Sequence, residues 1–237
     1  MLVKIDAAQL EWRVAVWLSN DQVGINEINN KDDIHANNQV AFGLPPGPAG
    51  RLISKSYLFR TIFRGSGYAF SHDPNFSHVS SKPAFWDDIN LKFYSKYSGL
   101  DQWHNSLARL VARRQAIVSP LGRIWNISPL PDGNLPWTVF SNYPVQGTGA
   151  DLMAVARVSL WNRLRRAGLQ AQLISTVHDD LKLDCPKGEV DQVVSTAMSV
   201  FQDLPKNLKK LFGIDLPIPF PGEAYVGKDL LNMEKVA

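Results

Sequence analysis

Residues 169–177 (LQAQLISTV) alternate apolar and polar side chains, and residues 181–185 (LKLDC) do so again, with Leu181, Leu183 and Cys185 against Lys182 and Asp184. Only His178, Asp179 and Asp180 separate the two runs, a spacing that predicts a β-hairpin with two carboxylates at its tip. Adjacent carboxylates in a tight turn repel each other and gain nothing from a core. Two readings follow. Asp is an ordinary residue of solvated turns; alternatively, hard oxygen ligands at this spot suit a divalent cation such as Mg²⁺.

A further strand is readable at residues 2–5 (LVKI), which Asp6 ends. Asp6 is either the N-cap of the following helix or a carboxylate held at a strand end. If its strand neighbours the hairpin in one sheet, Asp6 and Asp179 make the pair that holds two metals for phosphoryl transfer. Residues 7–18 place Leu10, Val14, Trp17 and Leu18 on one helical face, and the polar stretch 19–34 reads as loop with a helical turn. A Pro/Gly break at 44–49 precedes a helix over 50–64; 65–82 follow neither period; 86–115 read as helix interrupted near Ser98-Gly99. Short strands and turns are expected over 117–145, then a helix over 148–167 that Gly168 stops. A last helix over 187–203 leads to an extended Pro-rich segment.

The 237 residues, 45% apolar and 20% charged, have an ordinary globular composition, which argues against disorder and coiled coil. No run approaches the roughly 18 apolar residues of a membrane span, and Asp6 and Glu11 come too early for a secretory signal. A net charge of +3 neither demands nor excludes nucleic acid. The single cysteine, Cys185, permits no internal disulfide and no cysteine-based zinc site, which suits a reducing cytoplasm.

On the helix after the Pro/Gly break, Arg51, Lys55, Phe59 and Phe63 recur every four residues and share a face. Such a stripe suits a nucleotide, the cations meeting a triphosphate and an aromatic meeting the base or sugar. A half-buried face with snorkelling cations is the alternative. In SNYPVQGTGAD (141–151) a Gly-Thr-Gly turn leads into a helix with Thr148 placed to cap it. The segment is too short for a Walker loop, and Asn142 and Gln146 carry amides able to reach minor-groove acceptors. Basic residues collect at Arg109, Arg113, Arg114 and Arg123 and again at Arg157, Arg163, Arg165 and Arg166, as solvated helix faces or as a track for phosphates.

The order of these segments is more specific than any one of them. DAAQLEWR (6–13), DIH (33–35), RLISKSYLF (51–59), YPVQGTGAD (143–151) and VHDD (177–180) together resemble family A DNA polymerases, the bacterial DNA polymerase I group, in a phage type, over nearly all of the chain. The first segment resembles the family's DYSQIELR, the third its RRxxKxxxFGxxYG and the last its VHDE. The resemblance implies an α+β fold: a palm (1–34 and 117–237) whose small antiparallel sheet bears Asp6 and Asp179, and helical fingers (35–116). It implies that Asp6 and Asp179 hold two Mg²⁺ ions with the Ala7 carbonyl, while Asp180 is a further acidic ligand where the family usually has Glu. Glu11 matches the steric gate against a ribose 2′-hydroxyl. His35, Arg51 and Lys55 match the triphosphate contacts, with Lys55 also the proton donor to pyrophosphate, and Phe59 matches the residue that packs on the incoming sugar. Arg13, Asn142, Gln146 and His178 match residues around the primer terminus and its minor groove.

The departures are specific too. Phe63 stands where the family has Tyr, so a hydroxyl that would bond the gate glutamate is missing, and Arg60 and Arg64 replace two glycines. The thumb, the preceding palm strands and any exonuclease domain have no counterpart, which predicts one piece of a split polymerase. Its partner polypeptide would carry the thumb or an exonuclease and pair with the strand around residues 2–6. The expected activity is extension of a DNA primer on a template by dNTPs, in the cytoplasm (the bacterial host's, if phage-encoded) and away from membranes. A non-catalytic nucleic-acid-binding subunit would need no metal pair, and a metal-dependent nuclease would leave the Lys55/Phe59 stripe without a purpose.

Overall fold

The structure, a computed structural model, describes residues 1–237. In chain order the first elements are β1 (Leu2–Ala7), α1 (Leu10–Ser19), α2 (Gln22–Asn30), α3 (Ile34–Ala41), α4 (Gly47–Thr61), α5 (Gly67–His72), α6 (Pro74–Ser77), α7 (Pro83–Lys96) and α8 (Ser98–Ala112). Then follow β2 (Ile117–Val118), β3 (Ile124–Trp125), α9 (Trp137–Arg166), β4 (Gln172–Val177), β5 (Asp180–Asp184), α10 (Val190–Gln202), α11 (Leu204–Phe212), β6 (Gly222–Gly227) and β7 (Met233–Lys235). The chain forms two compact units, one of Met1–Leu10 with Gly147–Ala237 and one of Glu11–Gln146.

The first unit is built on an antiparallel sheet in the order β4-β5-β1-β6-β7, so the α+β expectation holds. Strict alternation decides its two faces: Val3, Ile5 and Ala7 of β1 are buried, as are Leu181 and Leu183 of β5 and Ala224 of β6. Helix α10 covers that apolar face. Gly222 keeps the approach close, since a Cβ there would sit 3.1 Å from the Phe201 ring. The hairpin turn is one residue tighter than its sequence suggests. Asp180 already pairs with Val177, so only His178, with φ +53°, and Asp179 form the turn.

Two expectations are overturned here. Strand β1 has no open edge for a partner at residues 2–6, because β5 flanks it on one side and β6 on the other. The flanking strand comes from GEAYVG, which the Pro-rich context had marked as merely extended; the sheet's outer strands are β4 and β7. Nor is Gly147-Thr148-Gly149 a turn into a helix. Helix α9 runs 30 residues through Pro144, with Thr148 fully buried in its interior instead of capping it. The Ser141 hydroxyl donates to the Trp137 carbonyl at 2.7 Å just ahead of that proline, and Gly168 stops the helix in the left-handed region at φ +69°.

The second unit is helical, and its core is aromatic. Trp12, Tyr57, Phe70, Phe76, Trp86, Phe93 and Tyr97 are all buried, with Trp12 edge-on to Tyr97 at 4.9 Å. Residues 22–30 fold as α2 instead of loop because Asp21 caps them, accepting from Gly24 N at 2.8 Å while its other oxygen accepts from Leu100 N at 3.2 Å. Residues 65–82 are not irregular: Ser66 and Asp73 each cap a short helix, α5 and α6. The break between α7 and α8 falls where the sequence placed it. A Cβ on Gly99 would lie 2.7 Å from Asp21 Cα, so only glycine fits. No helix is long and apolar enough to cross a membrane.

Candidate active site

Register on the first unit's sheet gathers the acidic side chains. Asp6 stands opposite Asp180 on β5 and Glu223 on β6, and Lys4 stands opposite Lys182 and Tyr225. Directly opposed residues share a face, so a row of carboxylates runs across three strands beside a row of two lysines and a tyrosine. Lys182 Nζ reaches both oxygens of Asp180 at 2.6 Å, Lys4 lies 3.5 Å from Asp6, and Lys235 lies 2.8 Å from Glu223. The Tyr225 hydroxyl also donates to Glu223, and Lys4 sits over the Tyr225 ring. Glu223 was not legible as a site residue, since only the β1–β6 register brings it beside Asp6.

Asp179 joins this row from the turn. Its backbone carbonyl accepts from Ala7 N–H at 2.9 Å, tying the hairpin tip to the end of β1. Burial, and next the charge of Asp179, lift the Asp6 carboxyl above the usual carboxylate range; Lys4 pulls against them. A carboxylate that resists ionising beside another carboxylate is a donor pair short of positive charge. Hard oxygens in that state fit a divalent cation such as Mg²⁺. No three His, Cys, Asp or Glu side chains converge on one point, so the pair is a partial coordination set. His178, beside it in the turn, is exposed.

In the second unit, α4 buries Ile53, Ser54, Tyr57 and Leu58 and turns Arg51 and Lys55 to solvent, with Phe59 half-buried. Phe63 falls beyond the helix end, in the turn after Thr61, so the helical stripe closes at Phe59. Arg51 is not a free cation. Its Nε and Nη2 donate to the two oxygens of Asp33 at 2.8 and 3.0 Å, which holds Asp33 below the usual carboxylate range. Asp33 also caps α3 and so sets the position of His35. His35 is buried, with its ring centroid 6.3 Å from that of Phe59 and its Nδ1 without a hydrogen-bond partner. Burial, reinforced by Arg51 and Lys55, drops its pKa to about 4, so it is neutral at physiological pH.

Glu11, in the first turn of α1, accepts a hydrogen bond from the Gln146 amide of α9. Where Phe63 offers no hydroxyl, that amide is a donor to Glu11. Asn142 lies one helical turn before Gln146 and shares its face. Arg13 is half-buried on α1; burial draws its guanidinium down to about 10, still charged at neutral pH.

The profile of the family described as DNA polymerase family A matches residues 1–229. The thermostable DNA polymerase I of Thermus thermophilus is 26% identical over 247 residues, covering 98% of this chain and 27% of that protein. The DNA polymerase of Bacillus phage SP01 is 26% identical over 215 residues, 86% of this chain and 23% of that one. The chain thus spans about a quarter of the length of these curated relatives. Among solved structures, the POL domain of Pol1 from M. smegmatis, in complex with DNA primer-template and dNTP, matches with a TM-score of 0.78. That match has 19% identity and covers 96% of this chain and 39% of that one, a likeness of fold.

Proposed function

The chain belongs to DNA polymerase family A, and we propose that it carries out template-directed DNA synthesis, adding deoxynucleotides to a primer 3′-hydroxyl. The observation that carries this reading is the carboxylate pair at the joined ends of β1 and the β4–β5 hairpin, with Asp6 lifted by burial and by Asp179. Such a pair needs cations, and binding nucleic acid alone does not need such a pair. Asp6 and Asp179, with the Ala7 carbonyl, would hold two Mg²⁺ ions, with Asp180 as outlying charge. Bound there, the ions would lower the pKa of the primer hydroxyl and neutralise charge on the transferring phosphoryl group.

The chain's other residues bind and orient. Lys55, with Arg51 once its pair with Asp33 opens, clamps the triphosphate, and Lys55 Nζ supplies the proton to the leaving pyrophosphate. Neutral His35 donates one hydrogen bond to a phosphate oxygen without adding charge. Phe59 packs on the sugar, and Glu11, steadied by Gln146, fills the volume a 2′-hydroxyl would need. Arg13, Asn142, Gln146 and His178 contact the primer end and its minor groove. Further polypeptide, in the same chain or another, completes the grip on the duplex; the support for this is that the Thermus relative is longer by the 73% that this chain does not cover.

Primer extension by the purified chain, with Mg²⁺ and dNTPs, tests the reading. Incorporation directed by the template base is the expected result. Duplex binding with no incorporation, also after addition of polypeptides bearing the missing regions, would leave a nucleic-acid-binding subunit instead.

A further inference from the structure

Arg60 and Arg64 stand where the motif of the α4 segment has glycines, and each occupies the same kind of seat. Arg60 Nη1 lies 2.6 Å from Asp73 Oδ2, with its guanidinium over the Phe76 ring at 5.0 Å. Arg64 Nη2 lies 2.6 Å from Asp101 Oδ1, and its guanidinium lies over Tyr94 at 4.2 Å and over Trp137 at 5.1 Å. One seat joins the α4 end to α6, the other joins the turn after it to α7, α8 and the first residue of α9. We propose that the two arginines are positioning residues for nucleotide binding: they clamp the C-terminal end of α4, and through it hold Phe59 and Lys55 in place. This inference rests on the polymerase reading for its substrate and goes beyond it in assigning two residues that the family motif lacks.

The surroundings agree with a clamp and not with incidental surface pairing. Arg64 has φ at +61°, a region natural for glycine and strained for arginine, so its side-chain contacts must offset a backbone cost. Its Nε donates to His104 Nδ1 at 3.0 Å, and His104 is fully buried, with its pKa pressed down to about 3. The imidazole is therefore neutral and accepts the bond, where a charged ring would repel the arginine. The Tyr94 ring that carries Arg64 also donates its hydroxyl to the Thr61 carbonyl, the last of α4, at 2.5 Å. Asn90, from the same face of α7, donates to the Gly65 carbonyl at 3.1 Å and accepts from the Tyr57 hydroxyl at 2.7 Å. Arg60 shares the exit turn with Phe59, and Asp73 is fixed in turn by capping α6. A helix held at its exit presents Lys55 and Phe59 in one position, so less ordering remains for the nucleotide to impose.

Restoring the motif residues tests this. Arg64→Gly also relieves the left-handed backbone, and Arg60 is a partly exposed side chain, so both variants should fold. If α4 loses its fixed position, the dNTP KM rises by the inverse of the fraction of molecules still competent, about fivefold or more for the double variant. The Kd for primer–template should stay within about twofold, and Arg64→Lys should recover only part of the loss because an ammonium cannot lie flat on two rings. Amide exchange over residues 51–62 should quicken in Arg60→Gly and Arg64→Gly, while the α7 and α8 amides keep their protection. A dNTP KM equal to wild type, with or without faster exchange, overturns the proposal. A wild-type chain that incorporates nothing, also after addition of polypeptides bearing the missing regions, sinks the polymerase reading instead. Exchange then decides the clamp alone: unchanged α4 protection overturns it, and loss confined to α4 upholds it.

Discussion

Lys182→Met is the sharpest probe of the carboxylate row. Lys182 and Asp180 are mostly buried, their side chains 14% and 15% exposed, and Nζ reaches both carboxylate oxygens at 2.6 Å. Without the ammonium, Asp180 keeps a long 3.3 Å bond from Val177 N and faces Asp6 directly across the strand pair. Removing one partner of a buried ion pair costs about 3–5 kcal/mol, and the residual exposure here brings the expectation to about 2–4 kcal/mol. For a chain of this size that is a Tm loss on the order of 5–15 °C. Exchange of the buried β1 and β5 amides at Val3, Ile5, Leu181 and Leu183 reads the loss in the unit that contains the row. Lys182→Met combined with Asp180→Leu should lose less than Lys182→Met alone, because the stranded charge goes with its partner. Mg²⁺ should restore the single variant, by about 2.7 kcal/mol at a hundredfold excess over its Kd. Acid should help as well. Asp6 has a raised carboxyl, so the stability linked to it is full below the ordinary value of 3.8 and is lost as pH rises through the raised one. A Lys182→Met chain as stable as wild type, or one whose deficit ignores both Mg²⁺ and pH, would refute the account of the row.

Asp6→Asn and Asp179→Asn should lower primer extension on the order of 10³-fold or more while duplex binding stays within a few-fold, and Asp6→Asn should also gain stability by removing an unfavourably placed charge. Retained extension in either variant ends the metal-pair assignment. Glu11→Ala should admit ribonucleotides, Gln146→Leu should do so more weakly by loosening Glu11, and Phe59→Tyr should raise dideoxynucleotide use; incorporation ratios against dNTPs measure all three. His35 and His104 are depressed from 6.5 to about 4 and about 3, so the stability they supply is complete above pH 6.5 and drains as pH falls toward those values. The slope is about 1.4 kcal/mol per pH unit for each histidine, and a urea midpoint that stays flat from pH 6.5 to 5 would contradict it.

Period-two patterning made β1 and β5 legible, because each has one buried face and the pattern is local; β4 alternates in sequence too, although none of its residues is buried and Ile174 and Val177 are exposed. GEAYVG alternates in the same way, but two glycines, one at each end, and the prolines before it masked β6. What makes it a strand is an edge of β1 to pair with, which lies far away in sequence. Helix α9 starts earlier than its sequence suggests for the opposite reason: Pro144, Gly147 and Gly149 are local breakers, and tertiary packing overrides them. Gly149 lies against Leu10, where a Cβ would come within 3.3 Å, so the small residue serves close packing and not a turn. For the proposed carboxylate pair, the strand-end positions of Asp6 and Asp179 could be read from the sequence. The parts played by Lys182 and Glu223 depend on register, which no single segment encodes.

The same register explains why the fold tolerates its acidic edge. Asp6, Asp179, Asp180 and Glu223 face Lys4, Lys182 and Lys235, four carboxylates against three ammonium groups. Three lysines remove most of the self-repulsion that would otherwise oppose folding, and one negative charge stays uncompensated. The first of the two proposed divalent cations would turn that deficit into a local excess of one positive charge, favourable to an approaching phosphate group. A fourth lysine would cancel the drive to bind the cation, and removal of any one of the three would strengthen cation binding while weakening the empty fold. Affinity for Mg²⁺ should therefore rise from wild type to Lys235→Met and Lys182→Met, as metal-free stability falls in the same order. Parallel changes, with cation affinity falling alongside stability, would mean that the lysines only hold the sheet together.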